Sequence, residues 1–160
     1  GAYLSPQDLV LDGGPAQVGL ESTIIDCRGD APKILRPGAI TEEMIVAATG
    51  FALSQDGNEI RVSGSLENHY APEAKVVLDV SPQPGDGFIA FAEIPTPIGA
   101  IRLASPDSID DYARDLYKAL RLGDQYGLSK ISVVEPEGPG LAVAIRDRLA
   151  KAASGKLAKN

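Results

Sequence analysis

Residues 75–153 alternate short apolar runs with helical stripes, and that order constrains the fold more than any other feature of the chain. Lys75 to Val80 is an apolar run ended by Ser81-Pro82-Gln83-Pro84-Gly85-Asp86-Gly87. Its prolines cannot donate to a ladder, and its glycines favour a loop. Phe88 to Ile94 has few charges and reads as a strand buried on both faces. Ala100 to Leu103 is a third run. Ser108 and Asp111 then form an S-x-x-D helix start. Ile109, Tyr112, Ala113, Leu116, Ala119 and Leu120 share one stripe of that helix, which ends near Gly123 or Gly127. Lys130 to Val134 is the next strand, and Leu141, Ile145 and Leu149, four apart, mark a last helix. Strands that alternate with helices pair in parallel through right-handed crossovers.

The first sixty residues are organised differently. Leu9-Val10-Leu11 is closed by the turn signal Asp12-Gly13-Gly14-Pro15. Val18 to Ile25 is rich in β-branched residues and reads as a strand. Lys33-Ile34-Leu35-Arg36 is a third strand, stopped by Pro37-Gly38. A short helix follows. Thr41 caps it, Glu42 and Glu43 suit the positive end of its dipole, and Gly50 stops it. Ile40 and Ile45 occupy the two positions of a hydrophobic staple. Ile60-Arg61-Val62 is a brief strand, and the stretch after it has no period and reads as a linker. Ser154 to Asn160 frays.

Composition removes several function classes. Lys+Arg 15 against Asp+Glu 22 leaves a net charge of −7. Non-specific binding to a phosphate backbone needs a basic patch, so the balance argues against direct RNA binding by this piece. It leaves room for a local cationic site. The single Cys27 excludes an intrachain disulfide and a cysteine-only zinc site. One histidine excludes a multi-histidine metal site. No apolar run approaches the ~18–20 residues that span a membrane. No basic region followed by an apolar stretch opens the chain, which points to the cytoplasm.

Four places could carry chemistry. Glu21-Ser22-Thr23 reads either as an edge-strand hydroxyl pair or as Ser22 offering a hydroxyl to a polar ligand above the sheet. No G-x-S-x-G elbow supports Ser22 as a nucleophile. Arg36-Pro37-Gly38 sets a guanidinium at a strand end, where it either binds phosphate as a planar fork or pairs with a surface acid. His69 stands in the linker and either donates to a phosphate or is simply solvated. Gly138-Pro139-Gly140 precedes a helix, but the third glycine of a dinucleotide fingerprint is replaced by Val143. No Walker-type G-x-x-x-x-G-K-[ST] is present. Cys27 reads as buried, and Asp110 with Asp111 as a helix first turn rather than a metal site. Composition and spacing stop at an α/β protein with a candidate anion site.

Leu11-Asp12-Gly13-Gly14-Pro15, then Val18 to Asp26, then Ile34-Leu35-Arg36-Pro37-Gly38-Ala39-Ile40 resemble the YrdC-type family. His69-Tyr70-Ala71-Pro72 and the α/β segment after it are similar to the long, two-domain members of that family, the threonylcarbamoyl-AMP synthases. The resemblance implies the C-terminal part of a YrdC-like twisted α/β sheet over 1–62 and a linker over 63–74. A small Rossmann-like parallel α/β domain then covers 75–160. It implies an enzyme that turns threonine, bicarbonate and ATP into threonylcarbamoyl-AMP and pyrophosphate, with a separate tRNA threonylcarbamoyl transferase complex as the downstream partner. ATP, accompanied by Mg, is a substrate, and no tightly bound cofactor is implied. Ser22 is expected to touch threonine, and Arg36, His69 and Tyr70 to contact ATP. No catalytic side chain and no metal ligand is assigned. In other members the segment before His-Tyr-Ala-Pro reads Pro-Gly-Met-Lys-Tyr-Arg, and here it is Ser63-Gly64-Ser65-Leu66-Glu67-Asn68. The Lys-x-Arg and Ser-x-Asn motifs that precede the Asp-Gly-Gly segment in the family are absent. The chain therefore reads as a C-terminal portion, inactive by itself. The alternative is a non-catalytic module that binds a nucleotide, RNA or a protein.

Overall fold

The runs and stripes resolve into two sheets and three helices. The computed structural model describes residues 5, 7–9, 11, 13, 14, 16–54 and 72–154. In the first part, β1 (Ile24–Asp26) pairs antiparallel with β2 (Lys33–Arg36), with Ile25 opposite Ile34. Asp26 turns the chain between them by accepting from the backbone N–H and the guanidinium of Arg28. Such a side-chain turn is a common role of aspartate. The strand expected over Val18 to Ile25 thus begins only at Ile24. Leu9 and Leu11 are exposed and not in a strand, and Val10 lies outside the described residues. An apolar run becomes a strand only where a neighbour completes its ladder, and none of the described residues does so there.

Helix α1 (Glu42–Thr49) starts and stops as its sequence signals require. Thr41 Oγ1 accepts from the Met44 N–H at 3.4 Å, and Gly50 caps the far end. Of the two staple positions Ile45 is buried and Ile40 is exposed. The brief strand at Ile60 lies outside the described residues, as does the expected linker up to Ala71. Ala74, at the end of that linker, is buried, and its N–H donates to Asp124 Oδ1 at 3.1 Å.

The second part holds β3 (Lys75–Leu78), β4 (Gly87–Ile89), β5 (Ile101–Ala104), α2 (Ile109–Gln125), β6 (Lys130–Val133) and α3 (Leu141–Ser154). The four strands form one sheet in the order β3-β6-β4-β5, and every neighbouring pair is parallel. Helix α2 carries the chain from β5 to β6, whereas β3, β4 and β5 are joined by loops. The two helices touch each other, α2 rests on β5 and α3 rests on β3. The core lies between helices and sheet. Tyr112, Leu116 and Leu120 from α2 meet Ile145 and Leu149 from α3 over Ile89, Ile131 and Val133. Each such aliphatic side chain contributes roughly 1.5–3 kcal/mol by leaving water.

Two features correct the expected boundaries. Gly123 lies inside α2 and does not end it. A Cβ there would come within 2.5 Å of Ile131 Cδ1, so the glycine lets the helix approach the sheet. The helix ends at Gln125 with Tyr126 as its cap, and the chain turns away at Gly127, whose φ of 65° only glycine adopts readily. The expected strand from Phe88 to Ile94 stops at Ile89. Arg102, one strand over, donates to the carbonyls of Ala90 (2.7 Å), Phe91 (2.6 Å), Ile94 (2.9 Å) and Ala104 (2.7 Å). The loop coils around this guanidinium, which also lies 5.1 Å from the centre of the Phe88 ring.

A polar cluster fastens the first part to α2 and α3, beside the packing of Leu20 on their core and the close approach of Gly19 to α2. Arg148 Nε donates to Glu21 Oε2 at 2.6 Å, and Arg148 Nη2 donates to the Pro37 carbonyl at 3.1 Å. Tyr117 donates to the same carboxylate, 3.0 Å from either oxygen. The Arg148 side chain is 4% exposed. Burial works to raise the Glu21 carboxyl. The hydrogen bond and charge of Arg148, with the Tyr117 hydroxyl, outweigh it and hold the carboxyl below its ordinary value of 4.5. Burial and the Glu21 charge push the Tyr117 hydroxyl above the usual phenol range.

Arg102→Ala should lower the unfolding free energy by about 2–4 kcal/mol, because several carbonyls lose a charged donor at once. Urea unfolding checks this, with hydrogen exchange at residues 91–100 as the local readout; full retained protection there would contradict it. The Glu21 carboxyl titrates lower when folded than when unfolded. Its contribution is therefore complete above pH 4.5 and fades as pH falls through the folded value. Glu21→Gln should accordingly be less stable than the parent at neutral pH and show a flatter acid limb. Urea midpoints taken between roughly pH 7 and 3 test this, and parallel curves for the two proteins would refute it.

Candidate functional site

Glu21-Ser22-Thr23 runs extended into β1, and each of its side chains takes a different partner. An extended chain alternates its faces. Glu21 turns toward the helices, as described above. Thr23 Oγ1 donates to the Ile40 carbonyl at 2.6 Å. Ser22 faces the end of β2. Arg36 Nε donates to the Ser22 carbonyl at 3.0 Å, and Arg36 Nη2 donates to Ser22 Oγ at 3.3 Å. Arg36 is buried and Ser22 is exposed. Gly38 completes the clamp. A Cβ at that position would lie 2.5 Å from both the Glu21 carbonyl and the Thr23 nitrogen, so the two backbones meet directly.

The structure thus brings together two of the four residues expected at a site. Because Ser22 Oγ accepts from Arg36, its own O–H is turned outward to donate. An exposed hydroxyl fixed beside a buried cation suits a small ligand that carries a carboxylate or a phosphate. His69 and Tyr70 lie outside the described residues.

A cleft of about 230 Å³ opens beside this pair, lined by Lys33, Pro37, Gly38, Thr41, Gly140 and Val143 among others. The starts of α1 and α3 converge on it. Glu43 reaches across, and hydrogen bonds from the Thr41 hydroxyl and the Gly140 N–H hold its carboxyl below the ordinary range. A carboxylate of the chain itself therefore stands near the anion-attracting start of α3.

A second hollow of about 380 Å³ lies at the carboxyl ends of β3 and β6, where open α/β sheets receive ligands. Its rim carries Asp79, Glu135 and Glu137. Asp79 Oδ1 accepts from the Glu135 N–H at 2.9 Å. Burial and the Asp79 charge push the Glu135 carboxyl up. Arg146 donates to the carbonyls of Pro136 (2.6 Å) and Gly138 (2.9 Å). Three acids beside Gly138-Pro139-Gly140 repel a pyrophosphate, so this turn is not a dinucleotide cradle.

Cys27 is exposed rather than buried, because it sits on the turn that Asp26 and Arg28 close after β1. Asp111 takes a hydrogen bond from Ser108 and an ion pair from Arg114 at 2.9 Å, which makes it a helix-start residue. Among the described residues no group of three or more His, Cys, Asp or Glu side chains could hold a metal ion. None of the described helices is long and apolar enough to cross a membrane. Sequence reasoning missed Arg148 and Tyr117. A signal for Arg148 existed: it stands on the buried stripe of α3 with Ile145, Leu149 and Ala152, where a cation calls for a partner.

The profile of the family described as Threonylcarbamoyl-AMP synthase, C-terminal domain, matches residues 40–154. The chain is 30% identical to the threonylcarbamoyl-AMP synthase of Pyrococcus abyssi, over 95% of this chain and 51% of that protein. It is 32% identical to the Bacillus subtilis protein of the same name, over 92% of this chain and 49% of that one. A Schizosaccharomyces pombe protein of that name is 36% identical over 52% of this chain and 23% of its own. The crystal structure of P. abyssi Sua5 complexed with L-threonine superposes with a TM-score of 0.73 at 28% identity, covering 91% of this chain and 49% of that one. A variant of the same protein with an adjacent histidine and tyrosine changed to alanine gives 0.70 at 27% identity, covering 91% and 48%. The chain spans about half the length of its Pyrococcus and Bacillus relatives. By profile, sequence and fold, this chain belongs to the threonylcarbamoyl-AMP synthase family.

Proposed function

We propose that this chain is the C-terminal portion of an L-threonylcarbamoyladenylate synthase that serves tRNA threonylcarbamoyladenosine modification in the cytoplasm. Residues 1–62 are the trailing part of its YrdC-like catalytic domain, 63–74 the linker, and 75–160 a small Rossmann-like domain. The observation that carries this reading is the Ser22–Arg36 pair, an exposed hydroxyl held 3.3 Å from a buried guanidinium. It occurs in a chain that shares its fold with a protein solved in complex with L-threonine.

The overall conversion sets what the site must do. The threonine amine and bicarbonate give a carbamate with loss of water, and a carbamate oxygen attacks the α-phosphorus of ATP and displaces pyrophosphate. Ser22 Oγ–H donates to the threonine substrate. The Arg36 guanidinium meets the phosphate charge as a planar fork. His69 and Tyr70 close over the nucleotide from the linker. That role is supported by the existence of a P. abyssi variant in which an adjacent His-Tyr pair was replaced, since His69-Tyr70 contains the one histidine of this chain. ATP arrives with its magnesium as part of the substrate. The product passes to a separate tRNA threonylcarbamoyl transferase complex.

The 160-residue chain alone should release no pyrophosphate from ATP when supplied with threonine and bicarbonate. Robust threonine-dependent release by this chain would overturn its assignment as an inactive portion. In the native protein in which the sequence occurs, Arg36→Ala should raise the KM for ATP on the order of tenfold or more, the loss expected for one charge-assisted contact. An ATP dependence equal to that of the parent would remove Arg36 from the nucleotide site.

A further inference from the structure

We infer that Arg148, on helix α3, is a positioning residue for the threonine site, and that it acts on Ser22 through Glu21 and on the β2 end through the Pro37 carbonyl. The inference rests on the reading of Ser22 as a threonine contact. It adds a role for the C-terminal helices in substrate binding, where the site reading alone assigns them none.

Arg148 Nε holds Glu21 Oε2 at 2.6 Å, and Nη2 holds the Pro37 carbonyl at 3.1 Å. Glu21 precedes Ser22, and Pro37 follows Arg36. Consecutive Cα atoms lie about 3.8 Å apart, so each anchor stands one residue from a member of the Ser22–Arg36 pair. One rigid planar group thereby joins the Glu21 side chain to the Pro37 backbone, on the two segments whose separation decides whether Arg36 Nη2 reaches Ser22 Oγ. That contact is 3.3 Å, near the upper limit of a hydrogen bond, so a small drift between the segments loses it.

The bridge is stiff at both ends. The Arg148 side chain is 4% exposed and also contacts the carboxylate of its neighbour Asp147, which Lys151 holds at 2.7 Å from one helical turn on. Tyr117 on α2 fixes the Glu21 carboxylate from a second direction at 3.0 Å. Glu21 is thus set by two helices before it sets Ser22. Between the two segments themselves, Gly38 permits contact with no side chain in the way, and Thr23 tethers Ile40 at 2.6 Å. Those contacts close the far side of the clamp, and Arg148 closes the near side. Removing Arg148 leaves the segments joined by the β1–β2 ladder, and it frees Glu21 and Pro37 from their common anchor on α3.

Steady-state kinetics of the native protein in which this sequence occurs tests the proposal, with threonine and ATP varied separately. Arg148→Ala should raise the KM for threonine on the order of tenfold, as expected when a binding group is misplaced, and change kcat far less. Arg148→Lys should fall between the two, since one ammonium reaches either Glu21 or Pro37 but does not fork to both. Glu21→Gln keeps the side-chain volume and should raise the threonine KM in the same direction, which covers the case in which Arg148→Ala does not fold. A merely structural role predicts something different. It lowers the folded fraction and hence the apparent kcat, while the surviving molecules keep the parent KM. A threonine KM within twofold of the parent in both Arg148→Lys and Glu21→Gln overturns the proposal, whatever happens to thermal stability. A parent protein that shows no threonine-dependent pyrophosphate release overturns the functional reading itself, and that result is seen before any variant is compared.

Discussion

The ion pair between Glu21 and Arg148 is the contact on which the relation between the two parts of this molecule depends. Burying a guanidinium is costly unless its donors are matched, and Arg148 has a carboxylate, a carbonyl and a second carboxylate around it. The carbonyl and the Glu21 carboxylate come from the segment of residues 16–54, so displacing that segment costs Arg148 both of those partners. Apolar burial alone would hold the segment with less orientation. Hydrophobic contact is proportional to area and is non-directional, whereas a forked hydrogen bond fixes an angle.

That directionality explains why three adjacent side chains serve three purposes. In an extended segment, residues 21 and 23 share a face and residue 22 takes the other. Glu21 and Thr23 are the anchored pair, to Arg148 and to the Ile40 carbonyl. Ser22 is presented outward by default, and Arg36 meets it there. The exposed group in the middle is aimed by its neighbours, and Gly38 lets the two backbones meet with no side chain between them. The site is therefore built from sequence-adjacent residues whose partners are distant, one of them 127 positions away.

This separates what the sequence made legible from what it did not. The parallel sheet and its two helices follow from local periodicity and from start signals such as Ser108 with Asp111, and the Ser108 hydroxyl does accept from the Asp111 N–H at 3.1 Å. Local pattern failed where a distant group intervened. The run from Phe88 to Ile94 is apolar enough for a long strand, yet a guanidinium from β5 coils its second half into a loop. Gly123 has the look of a stop, and only the side chain of Ile131 beneath it shows that it is a packing position. At the site, residue chemistry left Ser22 and Arg36 each with two readings, and the family resemblance chose between them. Their mutual contact, and the Arg148 bridge behind it, belong to tertiary packing that has no period along the chain.

The same contacts change the meaning of the net charge of −7. An acidic chain with a candidate phosphate contact is a conflict if none of its acids is paired. Several are. Arg28, Arg102, Arg114, Arg146 and Arg148 all donate to carboxylates or carbonyls of the chain itself. Three of them hold loops or segments in place, and each carboxylate so paired is removed from the field that a ligand feels. The acids at the rim of the β3 and β6 hollow remain, far from the Ser22–Arg36 clamp in sequence and on a different sheet. A triphosphate carries several charges, and a single guanidinium balances only part of them. On the proposed reading the remaining positive charge is supplied by the segment that the longer relatives possess and this chain does not span. On that same reading the proposed role of the clamp is orientation at the reacting end rather than the bulk of the electrostatic attraction.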